Sequence, residues 1–347
     1  MILSDLSLTH IRSYTKRAFT FSPTTTLIIG PNTAGKTNIL EAMMMLATGK
    51  SFRADRDAEM IQWGEQIARI NAQCTMRNDE TKLEILLTPT KQYLVNGIPR
   101  RQVDFVGNLR AVLFWPEHLE LVTDSPSLRR KYLDGVLVQV DREYRRNLLS
   151  YERGLRQRNR LLDLINEGKA HRHQLQFWDQ LLIKAGGYIT DKRGEFIEFI
   201  NHYTIYKNYN YYTIVYDKSV ISETRLEQYK DAEVAAKSTL VGPHRDDFKF
   251  YKSYKDYNDL SKYGSRGEQR LAILWLKLAE LAYIERETGE RPLLILDDIF
   301  SELDVEHREL ILDLLGKQQT IVSSAEEEIV DLFKNHRISA QIIRLSV

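Results

Sequence analysis

Gly30-Pro31-Asn32-Thr33-Ala34-Gly35-Lys36-Thr37 has the spacing GxxxxGK[ST], which in a strand–loop–helix setting is a phosphate-binding P-loop. The setting is present. Leu27, Ile28 and Ile29 read as a buried strand before it, and Ile39, Leu40, Ala42, Met43 and Leu46 as a helix after it. Gly30 and Gly35 permit backbone conformations that a Cβ resists, so successive N–H groups can converge on one phosphate chain. The helix presents its positive end to the same anion. Lys36 is placed for the β- and γ-phosphates, and the Thr37 hydroxyl for Mg²⁺. These residues predict a site for a nucleoside triphosphate and Mg²⁺.

A second cluster lies far along the chain. Pro292 to Leu296 is an apolar strand ending in Asp297 and Asp298. In that position Asp297 can hold the Mg²⁺ shell, and Asp298 can orient or deprotonate an attacking water; the plainer alternative is that two acids simply end a strand. Ser265-Arg-Gly267-Glu268-Gln-Arg precedes a helix carrying Leu271, Leu274, Trp275, Leu278 and Leu281. Ser265 and Glu268 can form a capping box. The same helix N-terminus, with Ser265 and Gly267, can also meet a γ-phosphate, and it resembles the LSGGQ signature of ABC-type ATPases. Ser301-Glu-Leu-Asp304 then falls where such ATPases carry their D-loop, so Asp304 joins the candidate nucleotide residues.

The chain of 347 residues, 43% hydrophobic and 28% charged, is long enough for two lobes with full cores. One cysteine, Cys74, excludes an intrachain disulfide and fits a reducing cytoplasm. Asp5, His10 and Arg12 break any early apolar run, predicting no cleaved leader. No stretch approaches the roughly eighteen apolar residues of a membrane span. Net charge is only +1, but its distribution is uneven. Arg129 to Arg160 holds ten Lys/Arg against four Asp/Glu, a local +6. Glu280 to Asp313 holds eleven Asp/Glu against three Arg, a local −8. The basic stretch offers Arg129, Arg130, Arg142, Arg145, Arg146, Arg153 and Arg156, with Arg158 and Arg160 beside them, as contacts for the phosphates of an anionic partner. A solvated helix face is the bland alternative.

Strands are expected at Ile2–Leu8, Ala18–Phe21, Ile67–Thr75, Lys82–Leu87 and Ala111–Phe114, with Asn96-Gly97 turning a hairpin. Ser125 and Pro126 open a helix. A heptad-like rhythm from Tyr144 to Ile165 gives a second, Gly168 stops it, and Leu175–Ile189 returns. The six tyrosines of 203–216 fit a half-buried strand, or stacking on bases. A last short strand is expected at Thr320–Ser323. His171-Arg-His173 lacks a third ligand at zinc spacing and reads as a solvated turn.

The order of these motifs, with ATGKSFR (47–53), LFWPEHLELV (113–122), SPSLRRKYLD (125–134), LRQRNRLL (155–162), TLVGPHRDDF (239–248) and LAELAYIERETGERPLLILDDIFSELD (278–304), resembles the RecF family of bacterial recombination-mediator ATPases, which are related to SMC proteins. The resemblance implies an α/β fold, an ABC/SMC-type P-loop ATPase head with an inserted helical lobe. The head would be split over 1–115 and 236–347 and the arm would cover 116–235. It implies an ATP-dependent clamp-like homodimer in which the signature of one subunit faces the P-loop of the other. DNA would be bound at single-strand/double-strand junctions and gapped duplex, with weak DNA-dependent ATP hydrolysis. RecO and RecR are the implied partners, RecA loading and the SOS response the implied context, and Arg12 an implied nucleotide contact.

Thr33 stands where a glycine is common, Glu268 where glutamine is frequent, and Asp298 where transporter ATPases use Glu, which fits slow hydrolysis. Only Ser323 and Ser324 occupy the switch-histidine position, and no Q-loop glutamine lies near Trp115-Pro-Glu117. These departures weigh against a transporter subunit. A P-loop small-molecule kinase has no use for SRGEQ and SELD, and a GTPase needs an NKxD-type motif that is missing.

Overall fold

The computed structural model describes residues 1–76, 79–203, 212–252, 258–301 and 305–346. Its elements follow in chain order. The first segment gives β1 (Ile2–Ile11), β2 (Tyr14–Thr20), β3 (Thr25–Ile29), α1 (Lys36–Thr48), β4 (Ala68–Met76), β5 (Asp79–Leu87), β6 (Gln92–Val95), β7 (Ile98–Arg100), α2 (Gln102–Phe105) and β8 (Ala111–Phe114). The middle gives α3 (Glu120–Thr123), α4 (Pro126–Val140), α5 (Arg142–Asn166), α6 (Gln176–His202), β9 (Tyr212–Asp217), α7 (Glu223–Ala236), β10 (Asp247–Lys252), β11 (Asn258–Asp259), α8 (Leu260–Tyr263) and α9 (Arg266–Thr288). β12 (Leu293–Asp297), α10 (Val305–Leu312), β13 (Thr320–Ser324), α11 (Glu328–Asn335) and β14 (Gln341–Arg344) close the chain.

Two compact units result, Met1–His118 with Glu280–Val347, and Leu119–Ala279. In the first unit, β14-β3-β13-β12-β8 form a parallel sheet. β3, β8, β12 and β13 are buried at every position, and so none shows the alternation of a half-buried strand. β2-β1-β4-β5-β6-β7 form an antiparallel sheet. Leu3 and Leu6 of β1 are three residues apart yet both buried. A bulge between Leu3 and Asp5, opposite Cys74 and Gln73, absorbs the odd residue and keeps the apolar set on one face. Asn96 (φ +53°) and Gly97 (φ +77°) make the tight turn between β6 and β7.

In the second unit the helices α5 and α6, with 25 and 27 residues, run about 37 and 40 Å at 1.5 Å per residue. Asp141 caps α5 by accepting from the backbone N–H groups of Glu143 and Tyr144. α6 continues to His202, past the Ile189 limit read from sequence. Gly186 sits inside it because a Cβ there would lie 2.8 Å from Ile221 and 3.0 Å from Tyr151. Residues 236–279, assigned from sequence to the ATPase lobe, pack with this helical unit, since β10 pairs with β9. Thr320–Ser324 is not the last strand. β14 follows and joins β3 as the edge of the parallel sheet. Among the described residues no helix is long and apolar enough to cross a membrane.

Candidate nucleotide-binding site

The P-loop connects β3 to α1. Gly30 donates its N–H to Ser324 O at 3.3 Å, and a Cβ on it would lie 2.8 Å from Leu345 O. Gly35 has φ +91° and a Cβ there would meet Tyr14 Oη at 2.7 Å; both demands exclude any other residue. Thr33, where glycine is common, is held at φ +80°, a conformation that costs a β-branched residue of order 1–3 kcal/mol. Pro31, Asn32 and Thr33 are exposed, while Ala34 is buried.

Lys36 is 7% exposed. Its Nζ donates to Gly30 O (2.7 Å) and Pro31 O (3.1 Å). Burial pulls the ammonium below its ordinary pKa, opposed by Asp298 and Asp297. The two acids lie within the same unit because β13 runs between β3 and β12, with Ser323 opposite Asp297 on one side and Ile28 on the other. Ser323 Oγ donates to Asp297 Oδ1 at 2.5 Å, and a hydrogen bond also joins Thr37 to Asp297. Burial pushes the Asp297 carboxyl up, and those two hydroxyls pull against it. Asp298 turns the chain out of β12 at φ +52°, its N–H donating to Ser323 O (3.2 Å) and Oγ (3.3 Å). Lys36, Thr37, Asp297 and Asp298 are therefore brought into one group, Lys36 and Asp297 buried and Thr37 and Asp298 half-buried, with one cation facing two carboxylates. Hydroxyl and carboxylate oxygens beside a triphosphate loop are the donor set that suits Mg²⁺, and a cation would offset the burial that disfavours ionised Asp297.

In the sequence Ser323 stands out only as the place where a histidine is missing. Its role depends on inter-strand register, which no local signal carries.

Arg12, expected at the nucleotide, is engaged by the protein. It stands at φ +52° and forks onto Glu41 of α1 (2.8 and 3.0 Å), with NH1 donating to Glu59 O at 2.7 Å. Glu41 is fully buried and also accepts from Ser51 Oγ at 2.5 Å. Arg12 thus ties the β1–β2 turn to the P-loop helix and to the 57–60 turn.

The remaining candidates belong to the second unit or lie outside the described residues. Ser265 and Glu268 form the reciprocal capping box of α9: Ser265 N donates to Glu268 Oε2 at 2.9 Å and Glu268 N to Ser265 Oγ at 3.3 Å. Lys252 pairs with Glu268. Gly267 is exposed and Ser265 is close to the surface. Asp304 lies outside the described residues.

The basic stretch divides into two kinds of arginine. Arg129 is buried, forks onto Asp247 at 2.6 and 3.1 Å and donates to Leu121 O and Asp124 O. Arg158 is buried between Asp179 and Glu233, both at 2.7 Å. For these two the expected phosphate contact is corrected: every strong donor direction is spent on the fold. Arg130 donates to Asp246 O (2.8 Å) and Arg145 to Val138 O (2.5 Å) from half-buried positions. Arg142, Arg146, Arg153, Arg156 and Arg160 are exposed.

The GPHRDD segment, whose role the sequence does not disclose, organises this unit. Asp246 is fully buried and takes Arg193 NH1 (2.9 Å), Tyr216 Oη (2.5 Å) and Ser219 N (2.8 Å). His244 Nε2 donates to Thr239 O at 3.0 Å, which fixes the tautomer and leaves Nδ1 to accept from Tyr151 Oη at 2.8 Å. Burial lowers its pKa to about 4. His171 and His173 stack on an exposed turn.

Comparison with known proteins agrees with this geometry. The RecF/RecN/SMC N-terminal domain family matches residues 2–341. The DNA replication and repair protein RecF of Lachnoclostridium phytofermentans is 36% identical, over 99% of this chain and 97% of the relative. That of Shouchella clausii is 35% identical over 95% and 94%. A solved structure of the recombination mediator protein RecF-ATP in the RecFOR pathway aligns with a TM-score of 0.86 at 31% identity, covering 94% of this chain and 92% of the other. An Smc head domain derived from Pyrococcus furiosus, 17% identical with a TM-score of 0.51, shares the fold. With its P-loop, paired aspartates and capped signature helix carried on that fold, the chain belongs to the RecF family of DNA replication and repair proteins.

Proposed function

We propose that the chain is an ATP-switched DNA clamp: two copies close on ATP·Mg²⁺, grip DNA at single-strand/double-strand junctions, and reopen on slow, DNA-dependent hydrolysis. The observation that carries it is the Lys36–Thr37–Asp297–Asp298 group, a desolvated cation and two acids converging on a phosphate loop. In this reading Gly30 to Thr37 hold the phosphates, Thr37 and Asp297 the Mg²⁺, and Asp298 positions water. When bound, ATP·Mg²⁺ supplies a phosphoryl group activated for transfer to water. Lys36 exchanges the Gly30 and Pro31 carbonyls for phosphate oxygens, a stronger charge-assisted pairing. Ser265 and Gly267 of the opposite copy complete the site, with Asp304 beside them. The exposed arginines of α5 take DNA phosphates, without sequence preference and with salt sensitivity. The RecFOR pathway of the solved RecF-ATP relative supports RecO and RecR as partners, and RecA loading is the proposed outcome.

Binding to gapped duplex with and without ATP·Mg²⁺, across a salt series and with mass followed by light scattering, tests this. Salt-sensitive binding that requires ATP and coincides with a doubling of mass is expected. Nucleotide binding with neither DNA affinity nor a change of mass overturns it.

A further inference from the structure

The turn that joins β1 to β2 leans on the P-loop and its helix with three successive side chains. Arg12 forks onto Glu41 (2.8 and 3.0 Å), Ser13 Oγ accepts from Asn38 Nδ2 (3.1 Å), and Tyr14 Oη donates to Ala34 O (3.3 Å). Asn38 and Glu41 are three residues apart on one face of α1, so the first two contacts hold the helix. The third holds the backbone of the loop itself. Tyr14 is 8% exposed, and its ring stands edge-on to Phe19 with 5.7 Å between centroids. Burial pushes the phenol up to about 12, so the hydroxyl is a donor throughout the neutral range.

A trans peptide carries its C=O and N–H on opposite sides, and no cis bond is present among the described residues. With Ala34 O turned to Tyr14, the N–H of Gly35 is turned away from the hairpin. Among the described residues no backbone carbonyl accepts it. Gly35 itself leaves that orientation open: a glycine at φ +91° populates negative φ as readily, so the Ala34–Gly35 peptide can turn over. The tyrosine is fitted closely against it, since a Cβ on Gly35 would lie 2.7 Å from Tyr14 Oη and 2.9 Å from Cζ. On the other side, Ala34 N–H closes a turn onto Pro31 O at 3.1 Å, with Thr33 strained at φ +80°. The peptide between a strained residue and a permissive one is held from outside the loop.

We infer that Tyr14 is a positioning residue of the nucleotide site: its hydroxyl selects the orientation of the Ala34–Gly35 peptide that presents the Gly35 N–H to a nucleotide phosphate. The inference rests on the ATP-site reading and deepens it, adding a residue that lies outside the GxxxxGKT pattern. Donors already aimed at an anion need no reorganisation when it arrives. A loop that spends part of its time with this peptide reversed loses affinity in proportion to the competent fraction.

The full chain carries two Ala–Gly pairs, Ala34–Gly35 and Ala185–Gly186. Labelling alanine carbonyls with ¹³C and glycine amides with ¹⁵N therefore isolates one NMR signal from the loop and one from the helical unit as a reference. Tyr14→Phe keeps the ring and removes only the hydroxyl. In the wild type a single Gly35 signal is expected, and it moves on addition of ATP·Mg²⁺. In nucleotide-free Tyr14→Phe the Gly35 signal is expected to shift or double while that of Gly186 stays in place. Affinity for ATP·Mg²⁺ is expected to fall roughly two- to tenfold, the span of one neutral hydrogen bond. An unchanged affinity overturns the inference. So does a weaker affinity with an unmoved Gly35 signal, which gives the hydroxyl another role. Should the variant not fold, a wild-type Gly35 signal that ignores bound ATP·Mg²⁺ overturns it by itself. A wild-type chain that binds no ATP overturns the nucleotide-site reading first, so the two failures are distinguishable.

Discussion

Replacing Ser323 by alanine isolates the contribution of one hydroxyl to Asp297, the carboxylate proposed to hold Mg²⁺. Ser323 is fully buried, and its Oγ donates to Asp297 Oδ1 at 2.5 Å while accepting from Asp298 N–H at 3.3 Å. A hydrogen bond to a charged group contributes about 1.5–3 kcal/mol, and no water can replace it in a sheet interior. The direction of the effect follows from what Asp297 must do. In the proposed site Mg²⁺ would bind the ionised carboxylate; burial already raises the Asp297 pKa, and the Ser323 hydroxyl is the strongest influence opposing that rise. Removing it raises the pKa further, so protons compete with the metal at higher pH.

Affinity for ATP·Mg²⁺, titrated with a fluorescent nucleotide from mildly alkaline to acidic pH, is expected to be near wild type at the alkaline end. The deficit then grows as pH falls, toward a ceiling of roughly ten- to a hundredfold at 1.4 kcal/mol per decade. Asp297→Asn, which cannot titrate, gives a low affinity without that limb. A Ser323→Ala deficit of the same size at every pH would refute the reasoning, because the hydroxyl would then be shaping the loop and not holding a charge.

Lys36→Arg is expected to weaken nucleotide binding and ATP-driven dimerisation together, whereas Ser265→Arg spares nucleotide binding by the isolated chain and blocks the doubling of mass; equal loss of nucleotide affinity in both counts against the dimer. Reversing Arg153 or Arg156 to glutamate should leave melting unchanged and lower the salt slope of DNA binding by about 0.9 for each phosphate no longer neutralised. Arg129→Ala should instead destabilise the second unit by up to about 3 kcal/mol, because it strands half-buried Asp247, which thermal unfolding measures. His244, at about 4 against an ordinary 6.5, is protonated more readily in the unfolded chain. The second unit should therefore be fully stable above pH 6.5 and lose up to about 3 kcal/mol as pH falls to 4, at 1.36 kcal/mol per unit. His244→Gln should flatten that part of the curve.

What can be read from the chain, and what cannot, divides along a physical line. Gly30, Gly35, Lys36, Thr37 and Asp297 are legible because phosphate and metal chemistry demand those residue types at local spacings. A glycine that must avoid Tyr14 or Leu345 looks in sequence like any P-loop glycine, yet the demand is the same. Ser323 and Glu41 are not legible, because their value comes from a strand register and a helix contact between segments far apart. β14 escapes for a related reason: an edge strand with most residues exposed has neither the alternation of a half-buried strand nor the unbroken apolar run of β12.

The arginines make the same point most sharply. Arg129 and Arg142 lie thirteen positions apart in one basic stretch and are chemically identical. One is locked to Asp247, 118 residues downstream, and the other is exposed at the start of α5. Local charge density cannot tell them apart, since a buried arginine is defined by a carboxylate that arrives from elsewhere. That carboxylate is visible only as part of TLVGPHRDDF, a block recognisable in sequence but mute about its purpose. Its two aspartates are the acceptors for Arg193 and Arg129. The cationic stretch thus divides: some of its arginines hold the helical unit together, and the exposed remainder faces solvent, as the proposed DNA contacts require.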